Sequence, residues 1–392
     1  MIMVSGAGPK ALCAGGDVAA LALDNEKGPE GQQRSIDFFG LEFRLDHVIS
    51  GYSKPYISVM DGVTMGGGVG LSVHAPFRIA TERTLFAMPE TTIGYFPDVG
   101  GSFFLPRLDG EVGTYLALTS ERLKGVQALY AGIATHYVDS SVLGNLTQRL
   151  SELTFKDYAS VEERLDLVNK TIAEFSTGLP SEGIQLSGGL RNAIDRCFKY
   201  NTVEEILKAL ENETEQKEWA QKTLETLSFR SPTSLKVALR AQRLGKEWTV
   251  DEAFQREHQI ASHFMRHPDF VNGVRARLMS KPPTQAEWQP RSLAEVTDEY
   301  VDSFFTLPES RIELLGDAKF SQYPHAKYAL PSEAEIERVV RGAANTSSSQ
   351  DTIAAFVSQW GEKEGVREKV AEVLARRTVQ TAEGLKWWET VE

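Results

Sequence analysis

The chain has 392 residues, 41% hydrophobic and 24% charged, so it is globular in composition and long enough to bury a sizeable core in one large domain or two ordinary ones. With 54 acids against 42 bases the formal net charge is -12, which argues against nucleic-acid binding as its main business. Cys13 and Cys197, the only two cysteines, stand in no metal or redox spacing and read as small buried thiols in a reducing compartment; no apolar run reaches membrane-spanning length.

In chain order, Ile2 to Val4 reads as a strand end that runs into a glycine-rich loop, Cys13-Ala14-Gly15-Gly16-Asp17. A glycine pair after a strand is a weak signal by itself, because turns use it constantly. Val18 to Leu23 suggests a short helical turn, and Asp24 to Gln33 a polar loop. In the helix that follows, Phe38, Leu41, Leu45 and Val48 recur at intervals of three, four and three, which predicts one buried stripe with Glu42 beside it. Ser53-Lys54-Pro55 ends that helix and Tyr56 to Met60 opens a strand.

The stretch from Met65 to Gly101 carries the densest chemistry. Gly66, Gly67, Gly68 and Gly70 follow an apolar strand containing Ile57, Val59 and Val63, so the backbone can turn sharply and meet a ligand directly. A helix beginning at these glycines would face that ligand with free N–H groups and its positive dipole end. Two short strands, FRIAT and LFAM, come next. Glu90 then follows Pro89 and Asp98 follows Pro97, with Gly94 between them and Gly100-Gly101 behind. Two acids in an apolar segment punctuated by proline and glycine have an active-site layout. The two glycine loops could each aim one N–H at a single oxygen, which is how an oxyanion hole is commonly built. His47 and His74 sit among apolar neighbours and read as packed core residues. Strand, glycine turn, helix and paired strands suggest repeating ββα units, hence an α/β fold.

Beyond about residue 145 the chain changes to charged helices. Thr202 with Glu205, and Ser332 with Glu335, have capping-box spacing, and Ser231-Pro232 places a cap before a first-turn proline. Asn345 to Gln350, NTSSSQ, is the best linker candidate. Past it, Ile353, Phe356, Val357 and Trp360 mark one amphipathic helix, and Val366, Val370, Val373 and Leu374 another. The organisation expected is a core over 1–145, a helical part over 146–344, and a linker with a helical extension over 345–392. The helical parts show no catalytic constellation and are expected to cover the core or another subunit.

CAGGD, MGGGVGLSVH, FAMPET and FPDVGG, in this order and spacing, resemble the enoyl-CoA hydratase/isomerase (crotonase) superfamily, and within it the 3-hydroxyisobutyryl-CoA hydrolases. The close match covers roughly Met1 to Val142, with echoes at Arg230 to Val237, Asp269 to Leu278 and His325 to Ile336. The resemblance implies a crotonase-like (ClpP/crotonase) fold of ββα units with a C-terminal helical region. Relative to that family the chain opens in mid-fold, so strands and a first helix are expected to be missing ahead of Met1. It also implies roles: oxyanion amides at Gly16 and Gly67, a catalytic acid at Glu90, the second acid of the hydrolases at Asp98, and a pocket-lining acid at Glu42. Hydratases carry a second glutamate two positions after the glycine triplet; here that position is Gly70, which favours hydrolysis.

The implied reaction is hydrolysis of a short 3-hydroxyacyl-CoA thioester in mitochondrial valine breakdown, with no cofactor beyond the CoA of the substrate and no metal. Gly16 and Gly67 would hold the carbonyl oxygen, and Glu90 would attack the carbonyl or activate water. Asp98 would hold the substrate hydroxyl, orient water or share a proton with Glu90. The plainer alternatives are a loop acid capping an N–H at Glu90, a helix cap at Asp98 and an exposed helix acid at Glu42. Another crotonase activity, hydratase or isomerase, is the second reading. A third comes from members of this hydrolase group recruited into the small subunit of mitochondrial ribosomes, where the segment ending in Lys386-Trp387-Trp388 would suit docking. A homo-oligomer, a basic patch for the anionic CoA, and a presequence are all left open by the sequence.

Overall fold

The computed structural model describes residues 1–306, 311–342, 348–382 and 384–388. Its N-terminal part is two stacked four-stranded sheets. The first has the order β1 (Ile2–Val4), β3 (Tyr56–Met60), β5 (Phe77–Ala80), β8 (His136–Tyr137). The second has the order β2 (Ala11–Cys13), β4 (Val63–Met65), β6 (Leu85–Ala87), β7 (Leu123–Lys124). All pairings within them are parallel except β6 with β7. Each strand pair of a repeat therefore gives one strand to each layer. FRIAT and LFAM, read as paired strands, do not pair with each other: Phe77–Ala80 joins β3, and Leu85–Ala87 joins β4. The tight turn between them, closed by Thr84 N–H to Thr81 O at 3.1 Å and by Thr81 N–H to the Thr84 hydroxyl at 2.8 Å and tied to Asp61 by Arg83, redirects the chain across the sandwich. β3 is buried along its whole length, as a parallel strand covered on both faces must be.

Helices α1 (Val18–Asn25), α2 (Pro29–Ser50) and α3 (Gly67–Val73) follow β2 and β4. The stripe expected to be buried on α2 is corrected: Phe38, Leu41 and Leu45 are 36%, 65% and 48% exposed. The buried face is Ile36, Phe39, Phe43, Asp46, His47 and Ser50, packed against the Val250–Phe264 helix. Both stripes have helical spacing, and the true one was masked because three of its members are polar. Polar groups on an inward face are the first sign that this helix serves a site.

The helical remainder packs into the same hydrophobic core as the sheets. Its caps form largely as the sequence suggests. Ser332 and Glu335 exchange reciprocal bonds, and the Ser231 hydroxyl accepts the Ser234 N–H behind Pro232. Thr202 accepts the Glu205 N–H, but the Glu205 carboxylate bonds the Thr202 hydroxyl rather than its N–H, so half of the box is present. Of the linker candidate, 345–347 lie outside the described residues; Ser348 caps the Ser349–Gln359 helix. Val366, Val370, Val373 and Leu374 are buried, and Arg376 and Arg377 of the same helix both bind Glu333. A hairpin of β9 (Thr378–Thr381) and β10 (Gly384–Trp387), unforeseen in the sequence, leaves Trp387 buried and Trp388 exposed. No helix among the described residues is long and apolar enough to cross a membrane.

Candidate active site

β2 and β4 are parallel neighbours, with Ala11 opposite Val63 and Cys13 opposite Thr64, so the loops leaving their C-terminal ends emerge side by side. That pairing is why Gly15-Gly16 and Gly66-Gly67 meet. A Cβ on Gly66 would sit 3.4 Å from the Gly15 Cα, and one on Gly15 would sit 3.9 Å from the Gly67 nitrogen. Gly67 is the first residue of α3, where N–H groups have no intrahelical partner. Among the described residues, no hydrogen bond takes up the N–H of Gly16 or of Gly67.

Of the two acids singled out in the sequence, Glu90 reaches this point and Asp98 lies close enough to feel the Glu90 charge. Glu90 begins a 3-10 turn (Glu90–Ile93) directly after the β6 region, is 5% exposed, and leaves its Oε2 without a partner. Its Oε1 lies 3.4 Å from where a Gly66 Cβ would be. Burial pushes its pKa up to about 8, with Glu42 and Glu257 adding to the rise and its own backbone N–H opposing it. Asp98 is 3% exposed and held well above the usual carboxylate range, first by burial and then by the charges of Glu42, Glu90 and Glu257. Tyr95 stands beside it and pulls the other way, although its hydroxyl makes no hydrogen bond of normal geometry. The Asp98 side chain does not cap the helix α4 (Gly101–Phe104) that follows: the Gly101 N–H donates to the Asp98 backbone carbonyl, and the Gly100 and Ser102 N–H groups go to Glu257. Glu42 is half-buried on α2, its Oε1 filling the space a Gly67 Cβ would need, and burial raises it to about 7. An exposed helix acid would show neither feature.

Two further acids were not found in the sequence. Asp46, one turn beyond Glu42, is 1% exposed, and a Cβ on Gly70 would lie 2.8 Å from its Oδ1 and closer still to Oδ2. The room in which a side chain at position 70 would grow is therefore already taken by Asp46. Burial, followed by the charges of Glu42 and Glu257, raises Asp46 well above its ordinary value. Glu257 lies on the inward face of the Val250–Phe264 helix, fully buried, and accepts the Gly100 N–H at 2.7 Å, the Ser102 N–H at 2.8 Å and the Ser102 hydroxyl at 2.6 Å. Its pKa rises to about 7 through burial, against those three bonds. The signal for it was present: an acid on the stripe Val250, Ala253, Phe254, Ile260, Ala261, Phe264. His74 and His47 are buried as expected, His74 between the Val99 carbonyl and the Tyr323 hydroxyl, His47 against the Ala318 carbonyl.

Five carboxylates thus gather with no lysine or arginine paired to any of them among the described residues. Such a group keeps protons at neutral pH, and that is the property a site needs to accept and return a proton. Among the described residues, no set of three or more His, Cys, Asp or Glu side chains has the arrangement to hold a metal ion.

Two sheets built from ββα repeats, with main-chain amides of two loops set beside a buried glutamate, define a crotonase-type protein. The family model described as enoyl-CoA hydratase/isomerase matches residues 1–305, and the chain belongs to that family. Within it, the chain is 45% identical to the mitochondrial 3-hydroxyisobutyryl-CoA hydrolase of Xenopus laevis over 79% of its own length and 78% of that protein. It is 51% identical to the small ribosomal subunit protein mS47 of Neurospora crassa, over 99% of its own length and 78% of that protein. Among solved structures, a carnitinyl-CoA dehydratase from Mycobacterium thermoresistibile superposes with a TM-score of 0.68 at 30% identity, covering 80% of this chain and 85% of that one.

Proposed function

We propose that the chain hydrolyses a short 3-hydroxyacyl-CoA thioester, 3-hydroxyisobutyryl-CoA being the substrate its hydrolase relatives suggest, in the mitochondrion. The observation that carries the reading is the pairing of Gly70 with Asp46. A hydratase would need a second acid growing from position 70, and that space is occupied, whereas Glu90 and the amides of Gly16 and Gly67 remain.

In this reading the thioester oxygen takes the N–H groups of Gly16 and Gly67, which stabilise the charge it acquires. Loss of one such donor costs about 3 to 4 kcal/mol of barrier. Ionised Glu90 either attacks the carbonyl carbon to form a mixed anhydride or removes a proton from the attacking water. On the first route the C–S bond breaks as the anhydride forms, and a water then cleaves the anhydride to free the 3-hydroxy acid and return Glu90. On the second the water oxygen bonds to the carbonyl carbon as the C–S bond breaks. On both, the proton shed by the water ends on the CoA sulfur. Asp98, which burial holds protonated, and Glu42 supply hydrogen bonds to the acyl hydroxyl and the water. CoA enters as part of the substrate, and the scheme uses no other cofactor. The test is thiol release from 3-hydroxyisobutyryl-CoA by the wild type and by Glu90→Gln, alongside hydration of crotonyl-CoA. Robust hydration with no thiol release would overturn the proposal.

A second reading is that the chain is a component of a small ribosomal subunit. What favours it is that the match to mS47 extends through the C-terminal segment beyond the family model, which the hydrolase relatives do not span in full. The segment packs into the core and carries the exposed Trp388. Sedimentation of the native protein separates the two: co-migration with a ribosomal particle supports assembly, and a free slow-sedimenting protein refutes it.

A further inference from the structure

The turn that carries Asp98 is held in an unfavourable shape from outside the sheets. Val99 has φ +52, a left-handed conformation that a β-branched residue almost never adopts without being forced. Its side chain is fully buried, so solvent does not relieve it. Two groups do the forcing. On one side the His74 Nε2 lies 2.8 Å from the Val99 carbonyl, and its Nδ1 lies 2.8 Å from the Tyr323 hydroxyl. A carbonyl can only accept, so Nε2 carries the proton and Nδ1 accepts from Tyr323. On the other side the Glu257 carboxylate takes the Gly100 N–H, the Ser102 N–H and the Ser102 hydroxyl. A side chain at Gly100 would overlap the His74 ring, so the two clamps approach the turn from adjacent faces.

We infer that Glu257 and His74 are positioning residues, which hold the strained Val99 turn and thereby aim Asp98 at the acyl group; this rests on the hydrolase reading above. Glu257 and Tyr323 both come from the helical half of the chain. That half therefore completes the site as well as covering it. The carboxylate has an additional reason to be a carboxylate: three donors converge on two oxygens, which a carboxamide cannot satisfy because one of its heavy atoms is itself a donor.

The test uses the full chain with Glu257→Gln, which keeps the volume and one acceptor, and with the milder Ser102→Ala, which removes one donor. Displacing a reacting group by about an ångström costs about 100-fold, so Glu257→Gln should lower kcat by about 30- to 100-fold with KM within about threefold. Ser102→Ala should lower it by about 3- to 10-fold. The decisive readout is rescue. Glycine holds φ +52 without a clamp, so Val99→Gly added to Glu257→Gln should recover about tenfold or more of the lost kcat. Hydrogen exchange at Gly100 and Ser102 should speed up in Glu257→Gln and in no distant segment. Unchanged kcat in Glu257→Gln with faster exchange at those amides would overturn the positioning role and leave a structural contact. A fall in kcat that Val99→Gly does not recover would overturn it as well. A wild type that turns over no thioester would instead end the hydrolase reading, and this role with it.

Discussion

Replacing Glu90 by Gln removes one ionisation from a buried pocket, and the consequence for stability has a sign and a size. The folded pKa of Glu90, about 8, lies above its ordinary 4.5, so the folded state binds a proton that the unfolded state has released. Stability from this group is complete below about pH 4.5 and is lost as pH rises through about 8. At about 1.4 kcal/mol per tenfold change in proton affinity, the ionisation costs about 1 kcal/mol at pH 5 and about 5 at pH 9. Glu90→Gln should therefore lose about 4 kcal/mol less than the wild type between those two pH values. Glu42 and Glu257, each near 7, ionise in the same window, so both proteins weaken as pH rises and the difference between them reports Glu90 together with the lift its charge gives Asp98. The assay is urea unfolding of both proteins at pH 5 and pH 9, followed by tryptophan fluorescence. Thiol release should fall by about 100-fold or more in the variant, the usual contribution of a positioned base or nucleophile. Parallel pH dependences, within about 0.5 kcal/mol, would refute the assignment of a raised pKa to Glu90 and with it the proton-holding role of the pocket.

Other consequences can be tested directly. In Gly67→Ala the new methyl group must displace the Glu42 carboxylate, so kcat should drop by about 100-fold while thermal stability changes little; near-normal turnover would separate Glu42 and Gly67 from the reaction. Gly70→Glu should lower the melting temperature sharply because its side chain meets Asp46, and Asp46→Ala in the same chain should restore much of it; equal melting temperatures in the single and double variants would refute the clash. Arg376 is 1% exposed and binds Glu333 and Glu372, so Arg376→Ala should destabilise by about 3 to 5 kcal/mol in urea unfolding. Glu333, lowered to about 2 chiefly by Arg191 and Arg376 against its burial, should contribute stability that is present above pH 4.5 and lost toward pH 2, and a flat acid limb would contradict that.

The four loop motifs were legible because each is local: glycines where backbones meet, and acids after prolines. Their convergence was legible only through resemblance, since it depends on β2 lying beside β4, a pairing that no local signal encodes. The α2 stripe failed for a physical reason. Apolar periodicity finds the face that avoids water, but this helix buries Asp46 and His47 and leaves Phe38, Leu41 and Leu45 outside. Glu257 carries no local motif of its own, and only its register among Phe254, Ile260 and Ala261 marks it as inward-facing. The C-terminal hairpin was missed because Thr378 to Thr381 and Gly384 to Trp387 are too short to show an alternation of their own.

Gly70 and Asp46 sit on different helices yet compete for one volume, and this has a bearing on how such a protein can change over generations. Neither residue can be resized freely while the other stays as it is. Enlarging position 70 first meets a filled space, and emptying position 46 first leaves a hole with nothing to fill it. A change that adds bulk at position 70 must therefore cross a disfavoured intermediate unless position 46 shrinks in the same step, so the pair acts as a ratchet on both positions.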